Sequence, residues 1–264
     1  MIVAAIQIRS SGDRIENINT VSQALEQAAA KGARVAILPE AVQRSFGNQG
    51  EPLVSDAEPL DGQFVSALVE QARRHDLTVV AGMFEDSAED REPFNTTVLI
   101  QANGECHAYR KIHLYDAYGF HESAAITAGS PEEDNLLVVD VDGFKIGVMT
   151  CFDLRFPELA VELVERGAEM LVLGAAWVPG AHKIEQWNTL LRARAIESTT
   201  YVVASAQPGP TYCGRSMIID PTGTVLAEAN DTEITVLTAD VDRSVLDDVR
   251  HRLPVRALRK ISSR

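Results

Sequence analysis

The stretch Phe144-Lys145-Ile146-Gly147-Val148-Met149-Thr150-Cys151-Phe152-Asp153-Leu154-Arg155-Phe156-Pro157-Glu158 decides how the rest of the chain reads. Its apolar run, Phe144 to Val148, has the length and composition of a buried strand. Pro157 and the amphipathic residues after it mark a helix start, because proline fits the first helical turn. Cys151 therefore falls at the carboxyl end of a core strand, beside a helix N-terminus. An α/β protein presents a nucleophile at such a place, and the helix-end dipole is expected to lower the thiol pKa toward the reactive thiolate. The competing reading is a small buried hydrophobe, the common fate of a lone cysteine in apolar surroundings. Charged groups at the same depth of the fold would decide between the two.

Two such groups follow from the same pattern. Val35-Ala36-Ile37-Leu38 reads as a strand that runs out into Pro39-Glu40. Tyr109-Arg110-Lys111-Ile112-His113 follows the hairpin signal Ala102-Asn103-Gly104-Glu105, so Lys111 closes a returning strand. Taken singly, each is ordinary solvated surface. Taken with Cys151 they form a chemical set. The carboxylate can accept the thiol proton, the ammonium can stabilise an oxyanion, and the thiol can carry an acyl group.

These blocks resemble the nitrilase superfamily of carbon–nitrogen hydrolases. The likeness runs from Ala4-Ala5-Ile6-Gln7 to about Asp242 and keeps the family order: Leu38-Pro39-Glu40, Tyr109 to Leu114, Phe120-His121-Glu122-Ser123, and Cys151 to Glu158. Leu191-Arg192-Ala193-Arg194-Ala195-Ile196-Glu197 and Gly214 to Pro221 continue it. Phe152 follows the nucleophile where true nitrilases carry Trp, so the chain looks most like the small Nit-type amidases. The resemblance implies an α/β four-layer αββα sandwich, paired into homodimers or larger even assemblies. It implies Glu40, Lys111 and Cys151 as catalytic residues and Glu122 as a supporting glutamate. The backbone N–H of Phe152 would serve the oxyanion, and no cofactor is needed. The reaction implied is hydrolysis of a small linear amide through a Cys thioester. Nitrile hydrolysis, or acyl transfer and carbamoyl cleavage by the same three residues, is the alternative. A non-enzymatic binding protein would have no need for the set.

Composition sets outer limits. With 264 residues and 45% apolar content, the chain is long enough for one large domain, expected over 1–264. A net charge of −14 argues against binding nucleic acid or an anionic membrane. No apolar run approaches the roughly 20 residues that span a bilayer. Met1 leads directly into an alternating strand, Ile2 to Ile8, so a cytoplasmic location is expected. The three cysteines, Cys106, Cys151 and Cys213, show no paired spacing and fit a reducing compartment. The six histidines lack metal-ligand spacing, and no metal site is expected.

Strand-like and helix-like segments alternate along the chain. Glu16 to Lys31, Gln63 to His75, Glu158 to Glu165 and Gln186 to Ser198 read as helices; Leu77 to Phe84, Met170 to Leu173 and Tyr201 to Ala206 read as strands. Turns are expected at Asn103-Gly104, Asp142-Gly143 and Pro221-Thr222-Gly223. Leu190, Leu191, Ala195 and Ile196 give the Gln186 to Ser198 helix more apolar surface than one exposed face needs. Tyr115, Phe120 and Trp177 are candidate walls of the substrate pocket, Trp177 being equally suited to the core. Arg110, Lys183 and Arg215 are candidate partners for a substrate carboxylate. His113 and His121 are alternative bases; His113 is ranked as structural. Arg155 and Glu158 are expected to form an ion pair.

Overall fold

Successive residues of a strand face opposite sides, and in this chain both sides are apolar. In β1 (Ile2–Gln7), Val3 and Ala5 join one core while Ala4 and Ile6 join another. In β2 (Val35–Ile37), Val35 and Ile37 face the first core and Ala36 the second. Strands buried on both faces must be covered on both. A computed structural model, describing residues 1–47, 52–87 and 91–260, shows how this is done. Helices α1 (Arg14–Ala30) and α2 (Gln63–His75) cover one face, and a second sheet covers the other.

The first sheet adds β3 (Thr78–Glu85), β4 (Phe94–Ile100), β5 (Cys106–Arg110) and, from the far end of the chain, β12 (Thr235–Asp240), in the order β12-β1-β2-β3-β4-β5. The second holds β6 (Val138–Val141), β7 (Phe144–Thr150), β8 (Met170–Ala175), β9 (Tyr201–Ala206), β10 (Met217–Ile219) and β11 (Val225–Glu228), in the order β11-β10-β9-β8-β7-β6. Helix α3 (Pro157–Glu165) packs on β7, and α4 (Lys183–Ser198) on β9. Helices α5 (Arg243–Arg252) and α6 (Val255–Leu258) follow β12. The result is the expected four-layer αββα sandwich. No helix among the described residues is long and apolar enough to cross a membrane.

The expected hairpin turns join β4 to β5, β6 to β7 and β10 to β11. Strand β12 and helix α5 were not anticipated. The residues of β12 are mostly only partly buried, so the strand carries little apolar signal of its own; its place comes from antiparallel pairing with β1. Leu191 and Ala195 of α4 are wholly buried in this core, and Ile196, 45% exposed, is the apolar residue left outward.

The topology puts chemistry on one rim. β1, β2 and β3 are parallel, as are β7, β8 and β9. Two antiparallel steps make β5 parallel to β3 again. Glu40, Lys111 and Cys151 thus all leave their strands at carboxyl ends. Two glycines admit Glu40 between the sheets. A Cβ on Gly82 of β3 would lie 2.7 Å from Glu40 Cα, and one on Gly174 of β8 would lie 2.9 Å from Glu40 N.

Candidate active site

Thr150 ends β7, and the chain turns at Cys151 with φ of +46°. The left-handed region costs a residue bearing a Cβ about 1 to 3 kcal/mol, and such strain clusters where geometry is held for a purpose. Cys151 is 7% exposed and opens into a cavity of about 490 Å³. Glu40, Lys111 and Glu122 line the same cavity, whose size suits a small organic ligand.

The polar groups there form one closed network. Lys111 Nζ donates to Glu40 Oε1 at 2.9 Å and lies 3.0 and 2.8 Å from Glu122 Oε1 and Oε2. Asn95 stands opposite Lys111 on β4, its backbone oxygen accepting from Lys111 N at 2.8 Å. Its Nδ2 donates to Glu40 Oε1 at 2.8 Å and to Glu122 Oε1 at 3.0 Å. Ala176 N, just past β8, donates to Glu40 Oε2 at 2.8 Å; Tyr115 N donates to Glu122 Oε2 at 2.6 Å. The side chains of Glu40 and Lys111 are each 1% exposed, and that of Glu122 is 8% exposed. One ammonium thus separates two carboxylates that would repel each other in a dry site.

Electrostatics fixes the resting protonation. Burial opposes the charge of Lys111, but Glu122, Glu40 and Cys151 outweigh it and raise its pKa well above the ordinary value. The ammonium stays charged. The Cys151 thiol is pushed up, first by burial and then by Glu40, with Lys111 opposing. The expectation of a dipole-lowered thiol is therefore corrected. Cys151 opens a five-residue 3-10 turn, Cys151–Arg155, and α3 begins only at Pro157, so burial and the facing carboxylate win. A neutral thiol needs a base at the moment it attacks.

The three proposed wall residues all line the cavity. Tyr115 meets the Phe152 ring edge-on at 5.0 Å and Phe120 at 5.5 Å. Trp177 is both wall and core: it lines the cavity yet is 2% exposed, with its ring 5.2 Å from Trp187. Of the three cation candidates only Lys183 is present. Arg110 is turned away, its Nε donating to the buried Glu85 at 2.9 Å, and Arg215 pairs with Glu228 at 3.3 Å. Lys183 is 5% exposed, its Nζ 3.1 Å from Tyr115 Oη and 4.9 Å from the ring centres of Tyr115, Tyr118 and Trp177.

Other expectations divide. His113 is structural, as ranked: its Nδ1 lies 2.7 Å from Asp153 and its ring stacks on Phe156 at 3.7 Å. His121 is exposed on the cavity rim. The expected Arg155–Glu158 ion pair is absent. Arg155 instead bonds Gln186 Oε1 at 2.6 Å and lies over the Trp177 ring at 5.0 Å, drawn inward by that aromatic face. Sequence reasoning missed Asn95 and Tyr212. Asn95-Thr96-Thr97 is a polar run buried inside a strand, a signal that could have been found. Tyr212 comes from a loop without periodicity; it lines the cavity, its phenol pKa raised by burial and then by Glu40 and Cys151.

Comparison with known proteins agrees with this geometry. Residues 2–251 match the carbon-nitrogen hydrolase family model. The chain is 36% identical over 255 residues to the deaminated glutathione amidase of Escherichia coli O157:H7, covering 97% of this chain and 95% of that protein. It superposes on the NitFhit protein of C. elegans with a TM-score of 0.89 at 30% identity, covering 98% of this chain and 65% of that one. It also superposes on a CN-hydrolase superfamily protein of Xanthomonas campestris with an arsenic adduct in its active site. There the TM-score is 0.88 at 26% identity, covering 100% and 98% of the two chains. The chain belongs to the carbon–nitrogen hydrolase family, that is, to the nitrilase superfamily.

Proposed function

We propose that this protein is an amidase that cleaves the C–N bond of a small linear carboxylic amide through a thioester on Cys151. The observation that carries the reading is the convergence of Glu40, Lys111 and Glu122 in one buried network lining the cavity into which Cys151 opens. Glu40 takes the thiol proton as sulfur attacks the amide carbonyl. Lys111 and the backbone N–H of Phe152 stabilise the oxyanion. Collapse of the tetrahedral intermediate breaks the C–N bond, and Glu40 returns the proton to the leaving ammonia. Water then enters, gives a proton to Glu40 and attacks the thioester; the acid leaves and the thiol is restored. Glu122 holds Lys111 in place against Glu40.

The substrate class follows from Lys183. It is a buried cation with no carboxylate of the described residues in ion-pair range, and burial followed by Arg155 lowers its pKa. A buried charge is costly unless paired. A carboxylate at the far end of the substrate supplies the pair, giving an ω-amide of a dicarboxylic or 2-oxo acid, or a deaminated peptide-like amide. The 36% identity to a deaminated glutathione amidase supports that class. Free Cys106, Cys151 and Cys213 are consistent with a cytoplasmic enzyme. A homodimer is proposed from the family likeness, and light scattering giving a monomer mass at micromolar concentration would exclude it.

The decisive experiment is mass spectrometry of the intact protein after mixing with candidate amides. An acyl adduct on Cys151 that disappears as acid accumulates is expected. Steady turnover with no adduct at Cys151, or with the adduct elsewhere, overturns the mechanism.

A further inference from the structure

Asp153 takes no part in the proton transfers above, yet it is fully buried and bonded on every side. Its Oδ2 accepts from Tyr109 Oη at 2.7 Å and from Thr150 N at 2.9 Å. Its Oδ1 accepts from His113 N at 3.2 Å and lies 2.7 Å from His113 Nδ1. The placement of these partners matters. Tyr109 and His113 stand two residues before and two after Lys111, and Thr150 immediately precedes Cys151. One side chain therefore bridges the strand end that carries the ammonium, in one sheet, and the turn that carries the thiol, in the other.

The rest of the turn is braced from the same side. The His113 ring stacks on Phe156, the residue that follows the 3-10 turn, with planes 8° apart. Thr150 Oγ1 also lies 2.7 Å from Thr97 Oγ1 on β4. Cys151 is left at φ of +46°, a conformation that persists only when its surroundings over-determine it.

We propose that Asp153 is a positioning residue: it sets the separation of the Cys151 sulfur from the Lys111 ammonium and holds the strained backbone of Cys151 in register with it. A carboxylate suits this task because its two oxygens together accept from the Tyr109 hydroxyl, the Thr150 amide and the His113 groups. An amide of the same size has one acceptor oxygen and turns an N–H toward donors on the other side. Asp153 touches no substrate. Its effect is on the attack geometry, where a displacement of about 1 Å can cost about a hundredfold in rate.

The proposal rests on Cys151 as nucleophile and extends it, so the test carries Cys151→Ala as a reference. The variants are Asp153→Asn, Tyr109→Phe and their combination, in the full chain. Glutaramic acid serves as the amide, and acylation of Cys151 is followed by intact mass in a single turnover alongside KM. Asp153→Asn is expected to slow acylation about a hundredfold while KM stays within about twofold, the signature of lost transition-state geometry rather than lost binding. Tyr109→Phe removes the bond the hydroxyl donates to Asp153 and the long one, 3.4 Å, that it accepts from Ile112 N, and is expected to slow acylation about tenfold at unchanged KM. The double variant should be no slower than Asp153→Asn, since both act through one carboxylate. Wild-type acylation in folded Asp153→Asn, or fully additive losses, overturns the proposal while an inert Cys151→Ala leaves the nucleophile standing. Turnover by Cys151→Ala would instead sink the underlying mechanism. If Asp153→Asn fails to fold, Tyr109→Phe decides: slowed acylation at unchanged KM supports the bridge, and a wild-type rate overturns it.

Discussion

Lys111→Met is the perturbation that tests both halves of the site at once. Methionine keeps most of the apolar stem of lysine and removes the charge together with its three N–H donors. The Lys111 ammonium donates to Glu40 and is shared with both oxygens of Glu122, in a region where the first two side chains are 1% exposed. Its loss leaves two buried carboxylates with Asn95 Nδ2 as their common donor. Breaking a buried pair by removing one partner typically costs about 3 to 5 kcal/mol. For a chain of this size that is a fall in melting temperature of about 6 to 20 °C. Losing an oxyanion donor should lower kcat by about a hundred- to a thousandfold. The pH dependence adds a sign. The folded pKa of Lys111 is raised above its ordinary 10.5, so its contribution is complete below that pH and is lost as pH rises through the folded value. Lys111→Met should therefore lack that component of alkaline destabilisation. Calorimetry from pH 7 to 12, with ammonia release as the activity assay, reads all three. Wild-type kinetics would remove the oxyanion role, and an unchanged melting temperature would show that Glu40 and Glu122 do not depend on this cation.

Further outcomes follow from individual residues. Cys151→Ala should abolish turnover with the fold intact, while Cys106→Ala and Cys213→Ala stay near wild type; normal hydrolysis without Cys151 would refute its assignment. Alkylation of resting Cys151 by iodoacetamide should rise with pH only above the ordinary thiol value of 9.0, since burial and Glu40 push this thiol up; an inflection below pH 8 would contradict a neutral resting thiol. Gly174→Ala puts a methyl 2.9 Å from Glu40 N and should cost about 1 to 3 kcal/mol of stability along with activity; an unchanged melting temperature would show that the sheets part easily. Lys183→Met should raise KM for an ω-amide acid about 10- to 100-fold, the loss of a charge-assisted hydrogen bond, and leave its methyl ester unaffected. Equal wild-type rates on acid and ester would end the carboxylate assignment, and faster turnover of the matching nitrile would move the enzyme into the nitrilase class.

The sequence by itself determined the strand ends. The run Val35 to Leu38 before Pro39-Glu40, the hairpin before Lys111 and the apolar strand before Cys151 are local patterns, because short apolar runs bounded by turns are written in adjacent residues. The order of these blocks also carried the family. Only the tertiary structure decided that the ends share a rim. Lys111 and Glu40 are separated by 71 positions, and Ala176 bonds Glu40 from 136 positions away. Such distances close through strand order and through two glycines that let the sheets approach Glu40. The same holds for the thiol. A strand followed by Pro157 suggested a helix dipole acting on Cys151, but pKa is set by burial and by the nearest charge, and both come from segments remote in the chain. Lys183 was one of three equivalent cations in the sequence. Packing set it apart, because Arg110 pairs with Glu85 at the end of β3 and Arg215 with Glu228 at the end of β11, while Lys183 is enclosed by aromatic rings facing the cavity.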